Sequence, residues 1–252
     1  MSRSFKVGIL AAAVMAAAPM AQAYEAGDFL IRAGAVHVAP DDSSSTPVFT
    51  GAGPLEGKTL VLEGTGVGVD SNTQLGITAT YMLTNNIGIG VLGATPFQHD
   101  IEGEGGLSSF GKLGETKHLP PTITLQYFPM AASSKVQPYA GIGINYTTFF
   151  EEKTTSTLTT VIDTVANQNY GTAPGTVDGS KLELDDSVGI ALELGVDYML
   201  TENIGLNAAL WWADIDTDAT ITAYSGDTNV GKITTDVEID PMVYMVGVSY
   251  KF

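Results

Sequence analysis

The chain has 252 residues, 11 lysines and arginines against 28 acids, no cysteine and an apolar fraction of 44%. A net charge of −17 argues against a nucleic-acid partner, because binding to phosphates rests on cationic neutralisation. The missing cysteines exclude a disulfide-stapled fold, and no apolar run beyond the N-terminal segment approaches the roughly 20 residues of a membrane-spanning helix.

In chain order, Arg3 and Lys6 precede an apolar stretch from Val7 to about Ala18, and Ala21-Gln22-Ala23 supplies a small-x-small cleavage signature. Residues 1–23 therefore read as a signal peptide. Removing it takes two of the 11 bases and none of the 28 acids, leaving 229 of 252 residues at a net charge of −19. That mature part, 24–252, is the length of one β domain. The first predicted strand, 28–39, turns Arg32 inward and His37 outward near a rim. A long polar stretch, 41–71, follows. The second strand, 72–83, alternates Thr73, Leu75, Ile77, Ala79, Tyr81 and Leu83 with Gln74, Gly76, Thr78, Thr80 and Met82. After the tight turn Thr84-Asn85-Asn86, the third strand, 87–98, points Leu92 inward among Gly88, Gly90 and Ala94, and carries Pro96.

A second long polar stretch, 99–118, leads to a fourth strand, 119–128, which opens on Pro120-Pro121. A short connection at 130–135 precedes the fifth strand, 136–150, and the long stretch 151–183 has little recognisable pattern. The sixth strand, 186–200, alternates Val188, Ile190, Leu192, Leu194, Val196 and Tyr198 with Gly189, Ala191, Glu193, Gly195 and Asp197. A helix would scatter those acids; a strand collects them on one face. Thr201-Glu202-Asn203 repeats the earlier turn, again after Tyr-Met-Leu and before Ile-Gly. The seventh strand, 204–222, turns Trp211 inward and Trp212 outward. After a last polar stretch at 223–231, the eighth strand, 232–252, sets Tyr244, Val246, Val248, Tyr250 and Phe252 against Val243, Met245, Gly247, Ser249 and Lys251.

Eight strands, short turns on one rim and long connections on the other predict an all-β, eight-stranded antiparallel transmembrane β-barrel with short periplasmic turns and long extracellular loops. Only a closed barrel or a helix satisfies every backbone group inside a bilayer. A soluble sandwich or lipocalin-like barrel would turn the apolar face inward. The proposed inner faces, rich in Gly, Ala, Thr, Asn and Gln, are too small and polar for such a dry core. Arginine at outward Leu192 is accordingly expected to destabilise more than arginine at inward Ala191.

Chemistry-bearing residues are sparse. The three histidines are His37, His99 and His118, and neither a Gly-x-Ser-x-Gly elbow nor a His-Glu-x-x-His motif occurs. Ser108 or Ser109 with His118 and Asp100 lacks any spacing that fixes a nucleophile against its base, so these read as polar rim residues and not as an enzyme's. Asp214, Asp216 and Asp218 begin like a calcium loop, but Ala219 and Ser225 stand where it needs glycine and glutamate. Neither a metal centre nor a cofactor is expected, and these acids fall in the headgroup zone, where weak divalent bridging to lipopolysaccharide is the remaining option.

Asn145-Tyr146-Thr147-Thr148-Phe149-Phe150, Ala94-Thr95-Pro96-Phe97, His118-Leu119-Pro120-Pro121-Thr122 and the end Ser249-Tyr250-Lys251-Phe252 together resemble the OmpW family of Gram-negative outer-membrane proteins. Ala26-Gly27-Asp28-Phe29 and the run Trp212 to Thr217 fit as well, and the pattern is similar to the branch containing the OprG porin of pseudomonads. The resemblance implies a narrow, largely apolar lumen that passes small hydrophobic molecules or, in that branch, small amino acids.

The expected function is a passive outer-membrane channel with lateral release into the membrane. The alternative is a structural or interaction barrel whose extracellular loops bind an external partner. In the first reading Leu92 and Trp211 form an apolar constriction that shuts the axial route, and Trp211→Ala is expected to open an axial leak. Pro96 and Pro120-Pro121 cannot donate ladder hydrogen bonds and weaken the wall between the third and fourth strands, unless they merely end those strands. Arg32, Glu193, Asp197 and Lys251 share the inner phase, and at least one base is expected to pair with an acid across the lumen, Arg32 with Glu193 most directly. Partners are outer-membrane lipid, lipopolysaccharide and, through a terminal Phe252 that resembles an assembly signal, the barrel-assembly machinery.

Overall fold

The computed structural model describes residues 24–252. The signal-peptide reading falls on 1–23 and lies outside the described residues. Eight strands form the wall: β1 (Phe29–Ala39), β2 (Asn72–Met82), β3 (Ile87–Ala94), β4 (Thr122–Tyr127), β5 (Val136–Thr154), β6 (Ser187–Met199), β7 (Ile204–Ala213) and β8 (Met242–Lys251). Each pairs antiparallel with its sequence neighbour. Pairing of β1 with β8, from Leu30 opposite Lys251 to Ala39 opposite Met242, closes the ring.

The two-residue period decides which side of the wall each residue meets. On β6, Val188, Ile190, Leu192 and Leu194 are exposed, whereas Ala191, Glu193 and Asp197 are buried. β2 and β8 follow the same rule, with Leu75, Ile77, Tyr81, Val246 and Val248 outside and Thr78, Thr80, Met245 and Ser249 inside. An apolar exterior around a polar interior suits hydrocarbon and a filled lumen. The two related corners also share chemistry. The Thr84 and Thr201 hydroxyls accept from the backbone N–H groups of Ile87 and Ile204, at 3.0 and 2.9 Å, and so fix the turns.

Beyond the opposite rim the chain departs from expectation. The predicted strands 87–98, 204–222 and 232–252 each break on leaving the wall, at 95–96, 214–215 and 239–241. Pro96 and Pro241 supply no ladder donor, and Asp240 adopts a positive φ of 35°. The stretches read as loops are largely ordered. They supply most of the hairpin Phe97–Gly105 with Lys112–Leu119, the strands Val48–Gly51, Thr59–Val61 and Thr65–Val69, and the strand Gly179–Leu184, while the outer parts of the predicted strands 204–222 and 232–252 leave the wall as the separate strands Asp216–Ser225 and Thr228–Glu238.

These elements build a cap over the barrel mouth. One helix, α1 (Ser156–Tyr170), completes it inside the stretch that showed no pattern. Thr155 caps its N-terminus by accepting from Leu158 N–H at 3.2 Å, and Gly171, at φ 69°, ends it. Leu158, Ile162 and Ala166, spaced at four residues, pack with Phe49, Leu113 and Val230 in an apolar core of the cap.

Candidate functional site: a capped lumen with a broken wall

The interior is layered from the cap downward. Uppermost is a vestibule of about 150 Å³ under the cap, walled by apolar side chains such as Phe49, Leu62, Ile101, Leu113, Leu158 and Ile233. Below it a neck of about 20 Å³ is bounded by Val36, Leu92, Ala94, Pro120, Trp211 and Val243. Val38, His118, Ile215 and Pro241 line both spaces, so the two adjoin along one side. Leu92 and Trp211 lie together at the neck. Pro96, by contrast, is exposed on the outer surface, and the prolines that reach the neck are Pro120 and Pro241.

Under Trp211 the lumen is crossed by a polar belt. The Arg32 Nη2 lies 2.6 Å from Asp197 Oδ2, its Nε donates to the same carboxylate, and its Nη1 donates to Thr80 Oγ1 at 2.8 Å. Arg32 and Asp197 are both fully buried. Asn207 donates to Asp197 at 2.9 Å, and the Tyr139 ring lies under the guanidinium at 4.8 Å. A side chain on Gly195 would place its Cβ 2.2 Å from that ring, so this close approach requires glycine. Glu193 does not take Arg32. It accepts instead from Thr124 at 2.7 Å and from Gln126 at 2.8 Å. Gln126 in turn accepts from Thr80, which links the two halves of the belt.

The largely apolar lumen that the resemblance implies is thus confined to the upper part, and in the lower lumen buried charged and polar side chains cross the axis. Neither cavity is lined by Arg32, Glu193 or Asp197. Below the belt, Tyr24, Met82, Phe128, Tyr139 and Met199 fill the periplasmic end. Lys251 stands apart at that rim, 3.8 Å from Asp28. Phe252 is exposed beside Phe29 and Tyr250, and its N–H bonds to the Phe29 carbonyl at 2.9 Å.

The wall has a seam beside the neck. β3 and β4 pair from Ile87 opposite Tyr127 up to Leu92 opposite Thr122, and pairing resumes only at Phe97 opposite His118. Between these points the runs Gly93 to Pro96 and Leu119 to Pro121 share no ladder pair. The Thr95 N–H turns away to Leu75 on β2 at 3.1 Å, and the Pro121 carbonyl accepts from Tyr146 on β5 at 3.0 Å. Three prolines here have no donor to offer. The neck-lining Ala94 and Pro120 belong to these two runs.

Other singled-out residues separate. Asp100 is engaged by Lys112 at 2.7 Å, and Ser108 and Ser109 lie in an exposed turn, while His118 is stacked among Phe97, His99 and Phe149. No nucleophile and base come together there. Asp214 and Asp216 gather with Asp240 rather than Asp218, their oxygens within 4.8 Å of one another. Burial and the neighbouring carboxylates raise the Asp216 pKa. His37 sits on the outer face, bonded to Thr73 and beside Tyr244.

Residues 25–252 match the sequence profile of the OmpW family. The chain belongs to the OmpW family. It is 43% identical to outer membrane protein W of Vibrio cholerae, over 97% of both chains. It is 37% identical to outer membrane protein W of Escherichia coli, over 91% of both. The crystal structure of OprG from Pseudomonas aeruginosa superposes with a TM-score of 0.74 at 43% identity, covering 92% of this chain and 98% of that one. As a member of this family the protein is a bacterial outer-membrane barrel and not an enzyme. Its exposed apolar band is the surface that meets membrane lipid.

Proposed function

We propose that the barrel is a passive conduit for small, mostly apolar solutes, which enter the vestibule from outside, pass the neck and leave sideways into the membrane between β3 and β4. The observation that carries this reading is the placing of the unpaired seam beside the apolar neck, with the buried belt across the axis directly beneath them. A wall segment without ladder bonds can part without breaking any. An apolar solute loses nothing by entering an apolar space, whereas a zwitterionic amino acid would shed its hydration without finding partners. Apolar solutes are therefore preferred over small amino acids as cargo.

The test exploits the absence of native cysteine. Ala94→Cys and Pro120→Cys, joined by oxidation or a short thiol crosslinker, should abolish uptake of an apolar solute by cells or vesicles whose outer leaflet is lipopolysaccharide. Reduction should restore it. Trp211→Ala should widen the neck and speed apolar uptake without admitting ions, because the belt lies beneath it. Unchanged apolar uptake with the crosslink complete would overturn the lateral route and favour an interaction barrel whose ordered cap is its working surface.

A further inference from the structure

Two histidines stand in the vestibule wall, whose other polar side chains are Tyr170 and five threonines already hydrogen-bonded elsewhere, and the conduit as described gives the histidines no task. His99 and His118 both line the larger cavity, with 2% and 7% of their surface exposed. Their rings lie 4.9 Å apart, with Phe97 against both and Phe149 beside His118. His99 Nδ1 is 2.5 Å from the Asp70 carbonyl oxygen. A carbonyl only accepts, so Nδ1 carries the proton, and Nε2 of the neutral ring is a bare acceptor. That Nε2 is buried with no partner, and so is Nδ1 of His118.

Both rings are neutral at ordinary pH. Burial lowers the His99 pKa, and burial together with the neighbouring His99 pushes His118 down to about 3. The nearby acids do not reverse this. The Asp70 carboxylate, 3.6 Å from His99 Nδ1, accepts from the Asp100 N–H, and Asp100 is held by Lys112. A neutral imidazole has one donor and one acceptor. Just behind the cavity wall the pair therefore holds an acceptor on His99 and, on His118, a nitrogen that donates or accepts according to the tautomer its neighbour demands.

Resting on the conduit reading, we infer that this pair makes the vestibule selective for small apolar molecules that carry one hydroxyl group, such as a phenol or a short alcohol. A hydroxyl is the smallest group that donates to one ring and accepts from the other. A hydrocarbon satisfies neither nitrogen, and a carbonyl satisfies only the donor. A carboxylate or an ammonium finds no counter-charge in this wall and must lose its hydration. The cavity of about 150 Å³ is the size that admits benzene in an engineered apolar core, so phenol is matched in volume as well.

The experiment titrates the protein in lipid nanodiscs, labelled with ¹⁵N-histidine, with phenol and with benzene, each referenced to its free aqueous concentration. Phenol should shift the ring signals of His99 and His118 and leave His37, on the outer face, unmoved. The phenol-to-benzene affinity ratio should be about tenfold higher in the native protein than in His118→Phe, the effect of losing about one good hydrogen bond. Benzene binding should persist in that variant. His118→Gln, which keeps an N–H, should retain part of the preference, and His99→Met provides a second route to the same loss.

An unchanged ratio in both His118→Phe and His99→Met, or no shift with either compound, would overturn the inference. The conduit is judged separately by the Ala94–Pro120 crosslink. Crosslink-sensitive benzene uptake without a phenol preference removes the selectivity and keeps the conduit. A phenol preference with crosslink-insensitive uptake does the reverse.

Discussion

Arg32 illustrates how far a single residue can be read. Its inward phase follows from alternation along β1, but its partner does not, because phase gives the face of a strand and not its height across the barrel. Height is set by strand tilt and stagger, which sequence alone does not declare. Glu193 lies four residues from Asp197 on the same inner face, and stagger brings Asp197 to the guanidinium while Glu193 falls to Thr124 and Gln126. Removing one member of a buried pair strands the other. Arg32→Met and Asp197→Asn should each cost about 3–5 kcal/mol, and the double variant should cost clearly less than their sum. Arg32→Met with Glu193→Gln should lie closer to additivity. Unfolding titrations in lipid measure both cycles, and strict additivity for Arg32 with Asp197 would mean that the belt is not a coupled unit.

At the scale of elements, the lipid band sets a depth scale. Leu192 lies midway along the exposed row of β6, whereas Val188 is near its capped end, opposite Tyr146. Arginine at Leu192 should cost about 2–4 kcal/mol and at Val188 about 0–1, a difference that equilibrium folding into vesicles resolves. Ala191 is no longer the lenient comparison expected from phase alone. It is fully buried against Phe149, Ala213 and Ile215, so a long side chain there meets packed neighbours. The wall strands were legible because a half-lipid, half-lumen strand writes its period directly into sequence. The cap was not. Its strands are short, and seven of the fifteen residues of α1 are Thr, Val or Ile, of modest helix propensity, so that the Leu158, Ile162, Ala166 stripe and the Thr155 cap were its signals. The site was legible to the same extent. Leu92 and Trp211 follow from phase, whereas the seam emerges only from the register, and the histidine pair from a hairpin that folds over the mouth.

For the molecule as a whole, Phe252 joins structure to biogenesis. Its ring is exposed at the periplasmic rim, and a single backbone bond to Phe29 ties it down. Deleting it should therefore lower the amount of assembled barrel in cells severalfold while changing the stability of refolded protein little. Gel-mobility assays of cellular and refolded samples separate the two effects, and equal losses would make it an interfacial anchor only. The belt carries a consequence at the same scale. A lumen bolted by Arg32 and Asp197 should offer no wire for current, so a planar bilayer crowded with this protein is expected to stay electrically silent. On the proposed conduit reading, a cell could then multiply copies to take up dilute, uncharged solutes without opening its outer membrane to ions.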